Sequence, residues 1–425
     1  MHPIRFIHAA DLHLDAAFSG LSRDIPAEFA ERLRTATFTA FRRLLDLCER
    51  ESPDFLLLAG DVYNQEDASV SAQLALRDGF RRLESLSIPV FLVHGNHDPL
   101  ASRLRSVRWP GNVTVFGELP DAVPVFRKGE ETPLAIIHGA SHASGRETRN
   151  LAALFRRTEA CGLHVGLLHA TPGDADGVAR YAPFSQEDLK ASGMDYWALG
   201  HIHDRREVCR EPLAAYPGCT QGLHINEPGE KGCLLVTAEA RPDGGYAVRM
   251  SFRPLGPAVW KTLDMDLGGA ASLDELENRL RTGLDRAAAE VWSGCEMLLV
   301  RLRLQGRTEL DGLLRKGTTC AELADRLRED GSGVPRIWIK DIDVATRPCV
   351  ERGALLERED LLGEVFRLSE AARTASGLQA LREGPLAPLF AHARAGKALE
   401  PLTDEELARL LDDAESLCLD LLEND

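Results

Sequence analysis

The sequence has little of what would place the chain in a membrane or hold it together by disulfides. No run approaches the roughly eighteen consecutive apolar residues that a membrane helix needs. The nine cysteines are scattered singly with no CxxC pair, which argues against a zinc ribbon and a disulfide framework. The first apolar stretch is short and is interrupted by Asp11 and His13, so we predict no signal peptide. We expect a cytoplasmic protein without a membrane partner.

The chain also lacks the basic excess that is common in nucleic-acid-binding proteins. Its net charge is −16 over 425 residues. The acidic excess is uneven, because residues 403–425 hold nine acidic residues against Arg409 alone and so account for eight of the sixteen charges. Composition therefore leaves the partner open, while 44% hydrophobic and 27% charged residues indicate a globular protein of two or three domains.

Five apolar runs in the first 250 residues end in polar, metal-ligating side chains. The runs are IRFIHAADLH, DFLLLAGDVYN, IPVFLVHGNHD, HVGLLHAT and DYWALGHIHD, and their polar endings are Asp11 and His13, Asp61 and Asn64, Asn96 and His97, His169, and His201 and His203. Helical stretches near residues 26–51 and 69–86 separate the first three runs, which indicates βα units. Ligands of such sheets bind beyond the carboxyl ends of the strands. We therefore expect these side chains to meet at one edge.

The residue types select the chemistry. Imidazole, carboxylate and amide oxygen are ligands for Mn²⁺, Fe²⁺ or Zn²⁺, and no thiolate is among them. Asp11 and His13 are two residues apart, so on a strand they would lie on the same side and could hold one ion together. His201 and His203 repeat that spacing. Asp61 is a candidate carboxylate for bridging two ions roughly 3.5–4 Å apart.

The motifs DLH, GDVYN, GNHD, His169 and GHIH resemble the five signature motifs of the calcineurin-like metallophosphoesterases. Within that family, DYWALGHIH followed by YPGCTQGLHINEPGEKG is similar to the DNA-repair exonuclease branch, the SbcD-type and YhaO-like proteins. The motifs cover residues 1–240, and beyond them the resemblance rests on layout. The resemblance implies an α/β fold. In this fold a metallophosphoesterase β-sandwich is flanked by helices and is followed by a small α+β capping domain and C-terminal helices.

The resemblance also implies two divalent ions, with Mn²⁺ expected and Fe²⁺ or Zn²⁺ as alternatives. The implied ligands are Asp11, His13, Asp61 and His203 for the first ion, and Asp61, Asn96, His169 and His201 for the second. His97 is expected to face the phosphate, where it can stabilise charge or protonate the leaving oxygen. Many relatives have Asp where this chain has Asn64, and that residue orients the catalytic histidine. An amide in this position cannot stabilise imidazolium as a carboxylate would.

Four residues in or beside these motifs have supporting roles. Arg205 and Arg206 directly follow GHIH and are candidates for binding phosphate, with solvated surface as the alternative because arginine dominates the basic residues of the whole chain. Gly95 is expected to permit a sharp turn in GNHD. Asp98 is expected to support or form that turn.

We divide the chain into a metallophosphoesterase catalytic domain (1–253), an α+β capping domain (254–350) and a helical partner-docking segment (351–425). The second has the order β-α-β-α-β, and the resemblance implies that it helps to select the nucleic acid.

In the third segment (351–425), one apolar stripe comprises Leu361, Val365, Leu368, Ala372 and Ala375. A capping box at residues 403–406 opens a last helix, whose apolar face comprises Leu407, Leu410, Leu411, Ala414, Leu417 and Leu421. Either both helices pack on their own domain or they dock on another protein.

The function that these patterns favour is a two-metal-dependent phosphodiesterase, most simply a DNA exonuclease or endonuclease of a repair complex. No Ser or Cys nucleophile lies among the motifs, so hydrolysis is expected to proceed without a covalent intermediate. The resemblance implies DNA and an SMC-like ABC-type ATPase as partners, the latter through the C-terminal helices, and leaves a homodimer open. The alternatives are another metallophosphatase, a cyclic-nucleotide phosphodiesterase, or a DNA-tethering scaffold subunit.

Overall fold

The computed structural model describes residues 2–21, 25–64, 69–101, 107–174, 180–242, 244–329, 333–349, 352–392 and 402–422. The strands are β1 (Ile4–Ala9), β2 (Phe55–Ala59), β3 (Val90–Val93), β4 (Val113–Val115), β5 (Asp121–Val125), β6 (Ala135–Ala140), β7 (Leu163–His169), β8 (Tyr196–Gly200), β9 (Arg206–Arg210), β10 (Leu213–Tyr216), β11 (Gly232–Ala240), β12 (Tyr246–Pro254), β13 (Ala258–Asp266), β14 (Met297–Thr308) and β15 (Arg336–Pro348). The α-helices are α1 (Ala27–Arg34), α2 (Ala36–Glu51), α3 (Val70–Ser85), α4 (Gln186–Ala191), α5 (Leu273–Glu290), α6 (Asp311–Leu314), α7 (Thr319–Glu329), α8 (Arg352–Leu356), α9 (Leu361–Ala372), α10 (Ala375–Glu383), α11 (Ala387–Ala391) and α12 (Asp404–Leu422), and a 3₁₀ helix spans Ala152–Leu154.

Within the described chain, most strands form two six-stranded sheets. The first has the order β12-β11-β1-β2-β3-β4 and the second the order β5-β6-β7-β8-β10-β9. Strands β1 to β4 pair in parallel, as do β6, β7, β8 and β10, whereas the remaining outer strands pair antiparallel. The parallel strands of each sheet therefore deliver their carboxyl ends to one edge.

The two sheets pack face to face because their strands alternate between two apolar environments. Phe55 and Leu57 of β2 join a core that also contains Val165 and Tyr196 of the second sheet. Leu56 and Leu58 point the other way, into a core shared with α2 and α3. A third core, under the outer face of the second sheet, includes Leu189 of α4 and residues of the 3₁₀ helix. The predicted fold class, a β-sandwich flanked by helices, is confirmed.

The helix predicted near residues 26–51 is two helices, α1 and α2. Thr35 lies between them with φ −98° and ψ 3°. Its hydroxyl donates to the carbonyl oxygens of Glu31 (3.1 Å) and Arg32 (3.3 Å). A threonine that bonds to the preceding turn in this way competes with regular helix geometry, which accounts for the break.

Residues 258–348 follow the predicted order β-α-β-α-β, with the short helix α6 as an addition. Strands β13, β14 and β15 form a three-stranded sheet in that order. Trp260, Leu299 and Trp338 of this sheet pack with Phe29 and Leu33 of α1. This sheet is therefore anchored by apolar contacts to the start of the chain.

The chain groups into two compact units. One comprises Met1–Asp266, Leu273–Leu304 and Leu314–Ala345, and the other comprises Leu267–Ser272, Gln305–Leu313 and Thr346–Asp425. The predicted boundary between 253 and 254 falls inside β12, and the one between 350 and 351 lies outside the described residues. The three-domain division therefore stays a prediction.

In the second unit, α9 and α12 pack against each other. The face of α9 that packs is not the apolar stripe predicted from periodicity. Leu362 and Phe366 are buried with Leu355 and Leu419. Leu361 and Leu368 of the predicted stripe are 65% and 61% exposed. The carboxylate of Glu415 accepts from the Arg352 guanidinium at 2.6 and 2.8 Å, which joins α8 to α12.

The predicted helix patterns are accordingly right in part. Ala375 belongs to α10 and not to α9, because Thr374 caps a new helix by accepting from Gly377 N. On α12, Leu407 is buried whereas Leu410, Leu417 and Leu421 are 46%, 58% and 66% exposed. The capping box is confirmed: Thr403 Oγ1 accepts from Glu406 N, and the Glu406 carboxylate accepts from Thr403 N. Throughout the described ranges, every helix is too short or too polar to traverse a lipid bilayer.

Candidate metal centre

The polar residues that follow β1, β2, β3, β7 and β8 meet at the carboxyl edge of the two sheets. Backbone hydrogen bonds join the first two loops, from Asp11 N to Gly60 O (3.1 Å) and from His13 N to Asp61 O (3.0 Å). His201 N donates to the Asp11 carboxylate at 3.0 Å and so joins the second sheet to the first. The convergence therefore has a backbone framework and does not depend on side chains alone.

The spacing argument from strand alternation is wrong in its geometry, although it selects residues that do meet. Strand β1 ends at Ala9, so Asp11 and His13 lie beyond it, with φ of 50° and 40°. Asp61 (φ 50°) and His201 (φ 106°) also have left-handed backbone. Such conformations are unfavourable for residues with a Cβ and concentrate at functional sites. The backbone is strained at four of the predicted ligands.

The first group of donor atoms comes from Asp11, His13 and His203, all within 4.8 Å of one another. His13 Nε2 and His203 Nε2 face each other at 3.1 Å. Asp61 Oδ2 lies 4.0 Å from His13 Nε2, between this group and the next. These are the four side chains that the resemblance implies for one ion.

The second group comprises Asp61, His169 and His201. His169 Nε2 is 3.3 Å from Asp61 Oδ2 and 3.0 Å from Asn96 Oδ1. His201 Nδ1 lies 3.1 Å from the same Asn96 oxygen. Asp61 thus contacts both groups, as a bridging carboxylate would.

Hydrogen bonds to the far side of three imidazoles determine which nitrogen faces the centre. His13 Nδ1 donates to Asn64 Oδ1 (2.6 Å), His169 Nδ1 donates to Ala59 O (2.9 Å), and His203 Nδ1 donates to Glu227 Oε1 (2.6 Å). Each bond places a proton on Nδ1 and turns Nε2 toward the centre. Asn64 therefore positions His13; its predicted role of orienting His97 stays a prediction.

Glu227 is a residue of this centre that sequence reasoning missed. Its Oε1 accepts from His203 and its Oε2 accepts from Leu223 N at 2.7 Å. Lys231, which is buried, donates from Nζ to His203 O at 3.0 Å. Its segment of the branch motif, NEPGEK, also holds Glu230, and no periodic pattern in the sequence distinguishes the two carboxylates.

Asp98 and Gly95 hold the GNHD loop against the GD loop. The buried Asp98 carboxylate accepts from Gly95 N (2.7 Å), Val62 N (3.1 Å) and Asp61 N (3.3 Å). A Cβ on Gly95 would overlap Asp61 Oδ1 and the His169 ring. Glycine is required here by this close approach, since Gly95 has no positive φ.

The buried charged groups of the centre shift one another's pKa values. Burial alone would lower the pKa of His169, but the carboxylates of Asp61 and Asp11 raise it to about 9. Burial would raise the pKa of Asp61, yet its histidine neighbours, His169 first, hold it well below its usual range. For Glu227, the His203 imidazole overcomes the effect of burial and lowers the pKa to about 2. Asp61 and Glu227 are thus kept ionised, whereas burial raises the pKa of Asp11.

The predicted phosphate-facing residues have different surroundings. His97 is exposed, donates from its backbone N to Asp61 Oδ1 (2.9 Å), and has its ring 5.2 Å from that of His13. The guanidinium of Arg205 lies 4.0 Å over the Phe252 ring, and that of Arg206 lies 5.4 Å over Tyr216. His97 is therefore free to reach a substrate beside the centre, while both arginines have an aromatic partner.

The donor set fits two divalent cations. It combines imidazole nitrogens, two carboxylates and one amide oxygen, a mixture suited to Mn²⁺, Fe²⁺ or Zn²⁺. Carboxylate and carbonyl acceptors behind His203 and His169 match the arrangement in which an imidazole is oriented for metal binding.

Comparisons with known proteins agree with this geometry. Residues 4–205 match the calcineurin-like phosphoesterase family, and residues 260–347 match the family described as metallophosphoesterase YhaO, middle domain. The chain is 34% identical over 388 residues to the uncharacterized metallophosphoesterase YhaO of Bacillus subtilis (strain 168), covering 90% of this chain and 91% of that protein.

Two less similar relatives have names that refer to DNA repair. The DNA double-strand break repair protein Mre11 of Aeropyrum pernix is 26% identical over 315 residues, covering 68% of this chain and 69% of its own length. The protein of the same name from Haloferax volcanii is 23% identical over 390 residues, covering 87% of this chain and 78% of its own.

Proposed function

The chain belongs to the calcineurin-like phosphoesterase family, hydrolases of phosphoester bonds with a dinuclear metal site, and we propose that its substrate is DNA. The observation that carries this proposal is the meeting of both donor groups around Asp61, with the exposed His97 beside them. The proposed activity is Mn²⁺-dependent hydrolysis of phosphodiester bonds in the course of DNA repair. The similarity to proteins named for double-strand break repair supports this choice among phosphoesters.

Two bound ions would polarise the phosphate and make a water molecule more acidic. Asp11, His13 and His203 would hold one ion and Asn96, His169 and His201 the other, with Asp61 shared. The backbone bond from His97 N to Asp61 Oδ1 fixes the loop that carries the His97 ring. From this position His97 would protonate the leaving oxygen or stabilise its charge.

We also propose that the C-terminal helices bind an SMC-like ABC-type ATPase. Leu361 and Leu368 are exposed on one side of α9, whereas Leu362 and Phe366 hold the other side against α12. The helix pair is therefore held together without this stripe, which leaves the stripe for a partner helix or groove. A cytoplasmic location is proposed on the ground that all nine cysteines are free thiols, as is usual in a reducing compartment.

Cleavage assays with a metal series test the proposed activity. Purified wild-type protein should cut linear duplex or single-stranded DNA with Mn²⁺ and not in EDTA, and the same series with Fe²⁺ and Zn²⁺ identifies the preferred ion. Asp61→Asn and His97→Ala should lower cleavage by at least about a hundredfold, whereas His2→Ala, an exposed histidine outside the centre, should not. His97→Ala should still bind metal.

The outcomes separate the alternatives. Hydrolysis of bis(p-nitrophenyl) phosphate without cleavage of any DNA would favour another phosphodiesterase and overturn the proposal. DNA cleavage that survives in both variants would contradict the assignment of the centre. Full complementation of a deletion strain by Asp61→Asn would favour a DNA-tethering scaffold instead.

A further inference from the structure

A cavity of about 420 Å³ opens at the same sheet edge as the metal centre, on the side of β3 and β4. Its wall includes three aromatic side chains, two polar ones and a glycine: Tyr63, Trp109, Phe116, Gln73, His94 and Gly117. The volume falls in the range of about 300–1,000 Å³ that is typical of small-molecule sites. None of these residues is among the metal-ligating groups described above.

The cavity and the metal centre are built on the same two loops. Tyr63 follows Asp61 by two residues, and His94 precedes Asn96 by two residues. The Asp98 carboxylate links the loops, since it accepts from Val62 N at 3.1 Å and lies 3.2 Å from His94 Nδ1. A group held in the cavity would therefore sit at a fixed position relative to the ions.

The wall has the chemistry of a site for an uncharged aromatic ring. Trp109 is half-buried and is held edge-on against Phe80, with ring centroids 5.4 Å apart. The part of the wall that the structure describes contains no Asp, Glu, Lys or Arg. A phosphate or a metal ion would find no counter-charge on those residues, whereas a nucleobase could stack on the indole and meet the imidazole of His94.

We propose that this cavity binds one unpaired nucleobase of the strand whose phosphate lies at the metal centre. The inference rests on the proposed function, because it assumes a nucleic-acid substrate. A base inside the cavity cannot remain in a duplex, so the enzyme should prefer single-stranded or frayed DNA over fully paired DNA. The pocket would position the phosphate next to that base.

Gly117 provides a way to fill the cavity without disturbing the fold. A Cβ at this position would meet nothing within 4 Å, and Gly117 has no positive φ and is exposed. Because Gly117 lines the cavity, Gly117→Leu should narrow the space that a base would need. Gly312 shares the same open surroundings, exposure and ordinary backbone in another part of the chain, so Gly312→Leu is the matched control. Trp109→Leu, which removes the ring and adds no bulk, is a second variant.

The test is the binding of a single-stranded oligonucleotide that carries one 2-aminopurine, measured by fluorescence in EDTA so that no cleavage begins. Wild type and Gly312→Leu should quench the fluorescence saturably, because the base stacks on Trp109. Gly117→Leu and Trp109→Leu should weaken that binding by about tenfold or more. Melting temperatures verify that the variants are folded.

Absence of saturable quenching in folded wild-type protein would overturn the proposal, and so would equal quenching in the folded Gly117→Leu variant. Gly117→Leu should bind Mn²⁺ with wild-type affinity, because Gly117 is not among the residues of the metal centre. Loss of binding in Gly117→Leu, in a protein that cuts no DNA, would support the pocket and overturn only the proposed nuclease activity. DNA cleavage together with unchanged base binding in Gly117→Leu would support the proposed nuclease activity and overturn the proposed base pocket.

Discussion

His203 donates from Nδ1 to the Glu227 carboxylate at 2.6 Å, across 24 residues of sequence. The second oxygen of Glu227 accepts from Leu223 N, so the carboxylate is held on both sides. This arrangement fixes the His203 ring with Nε2 toward Asp11 and His13. Glu227 therefore contributes to the metal centre by orienting His203.

Replacing Glu227 by Gln should weaken metal binding. The amide keeps the shape of the side chain but loses the charge that stabilises the donor hydrogen of His203. Loss of such a partner lowers metal affinity by about 10- to 100-fold. Titration of the metal-free protein with Mn²⁺, followed by electron paramagnetic resonance, measures the change directly.

Glu230→Gln is the matched control, since Glu230 lies in the same segment and contacts the Trp292 backbone N instead. Its Mn²⁺ affinity should equal that of wild type. Equal affinity in Glu227→Gln as well would show that His203 is oriented by the rest of its surroundings.

A methyl group on Gly95 should damage the centre although it changes no ligand. The Cβ of Gly95→Ala would overlap Asp61 Oδ1 and the His169 ring, so one of the two loops must shift. Overpacking of this kind costs about 1–3 kcal/mol of stability. We expect a lower free energy of unfolding and weaker Mn²⁺ binding, measured by urea denaturation and metal titration.

Gly117→Ala is the comparison for this experiment, because its Cβ would enter open space at the same sheet edge. It should change neither quantity. A Gly95→Ala protein with wild-type stability and metal affinity would mean that the loops can separate at no cost, contrary to the fit of the GNHD and GD loops.

Much of the metal centre could be predicted from sequence because buried parallel strands and their polar endings leave a local pattern. The ligand side chains stand within a few residues of β1, β2, β3, β7 and β8. Their backbone conformation could not be predicted in this way, since strand alternation does not apply beyond Ala9 or Gly200. Glu227 could not be identified either, because its partner is set by the path of a loop with no periodicity.

The C-terminal helices show a different limit. Periodicity shows that α9 has an apolar stripe. Leu361 and Leu362 are neighbours in sequence, however, and lie on different sides of the helix. The structure buries Leu362 and leaves Leu361 exposed. Which side packs inward is decided by the contacts with α12. The sequence of α9 alone does not show these contacts.

Buried histidines should make the protein sensitive to acid. Burial lowers the pKa of His8 to about 3, and burial followed by the nearby His164 lowers that of His138 to about 4. In the unfolded chain both have a pKa of about 6.5. Between pH 6.5 and 4 the unfolded state therefore binds more protons than the folded state. The stability that is present above pH 6.5 is lost as the pH falls.

Replacing His138 by Gln removes one of these groups. The free energy of unfolding should then fall less steeply with acid, by up to about 1.4 kcal/mol per pH unit. Urea unfolding in EDTA at several pH values between 4 and 7 gives the two slopes. His2→Gln, at an exposed position, should leave the slope as in wild type. Equal slopes for His138→Gln and wild type would show that His138 takes up protons freely in the folded protein.

The exposed stripe of α9 yields the last prediction, which rests on the proposed ATPase partner. Leu361 and Leu368 are exposed, so replacing both by Asp removes little from the fold of the helix pair. In a partner groove the same carboxylates would be desolvated, which is strongly unfavourable. We expect wild-type melting temperature and metal binding, together with loss of co-purification with the co-expressed ATPase. ATP-dependent cleavage of long DNA should be lost as well, while cleavage of short oligonucleotides persists.

Phe366→Asp on the same helix supplies the contrast, because Phe366 is buried with Leu362 and Leu419. It should lower the melting temperature by placing a charge in that core. If Leu361→Asp with Leu368→Asp retains the ATPase, the stripe is not the contact surface. If the double variant melts as early as Phe366→Asp, the stripe belongs to the protein's own packing. Only binding lost at unchanged stability supports docking, since a charge in the helix core would disturb both.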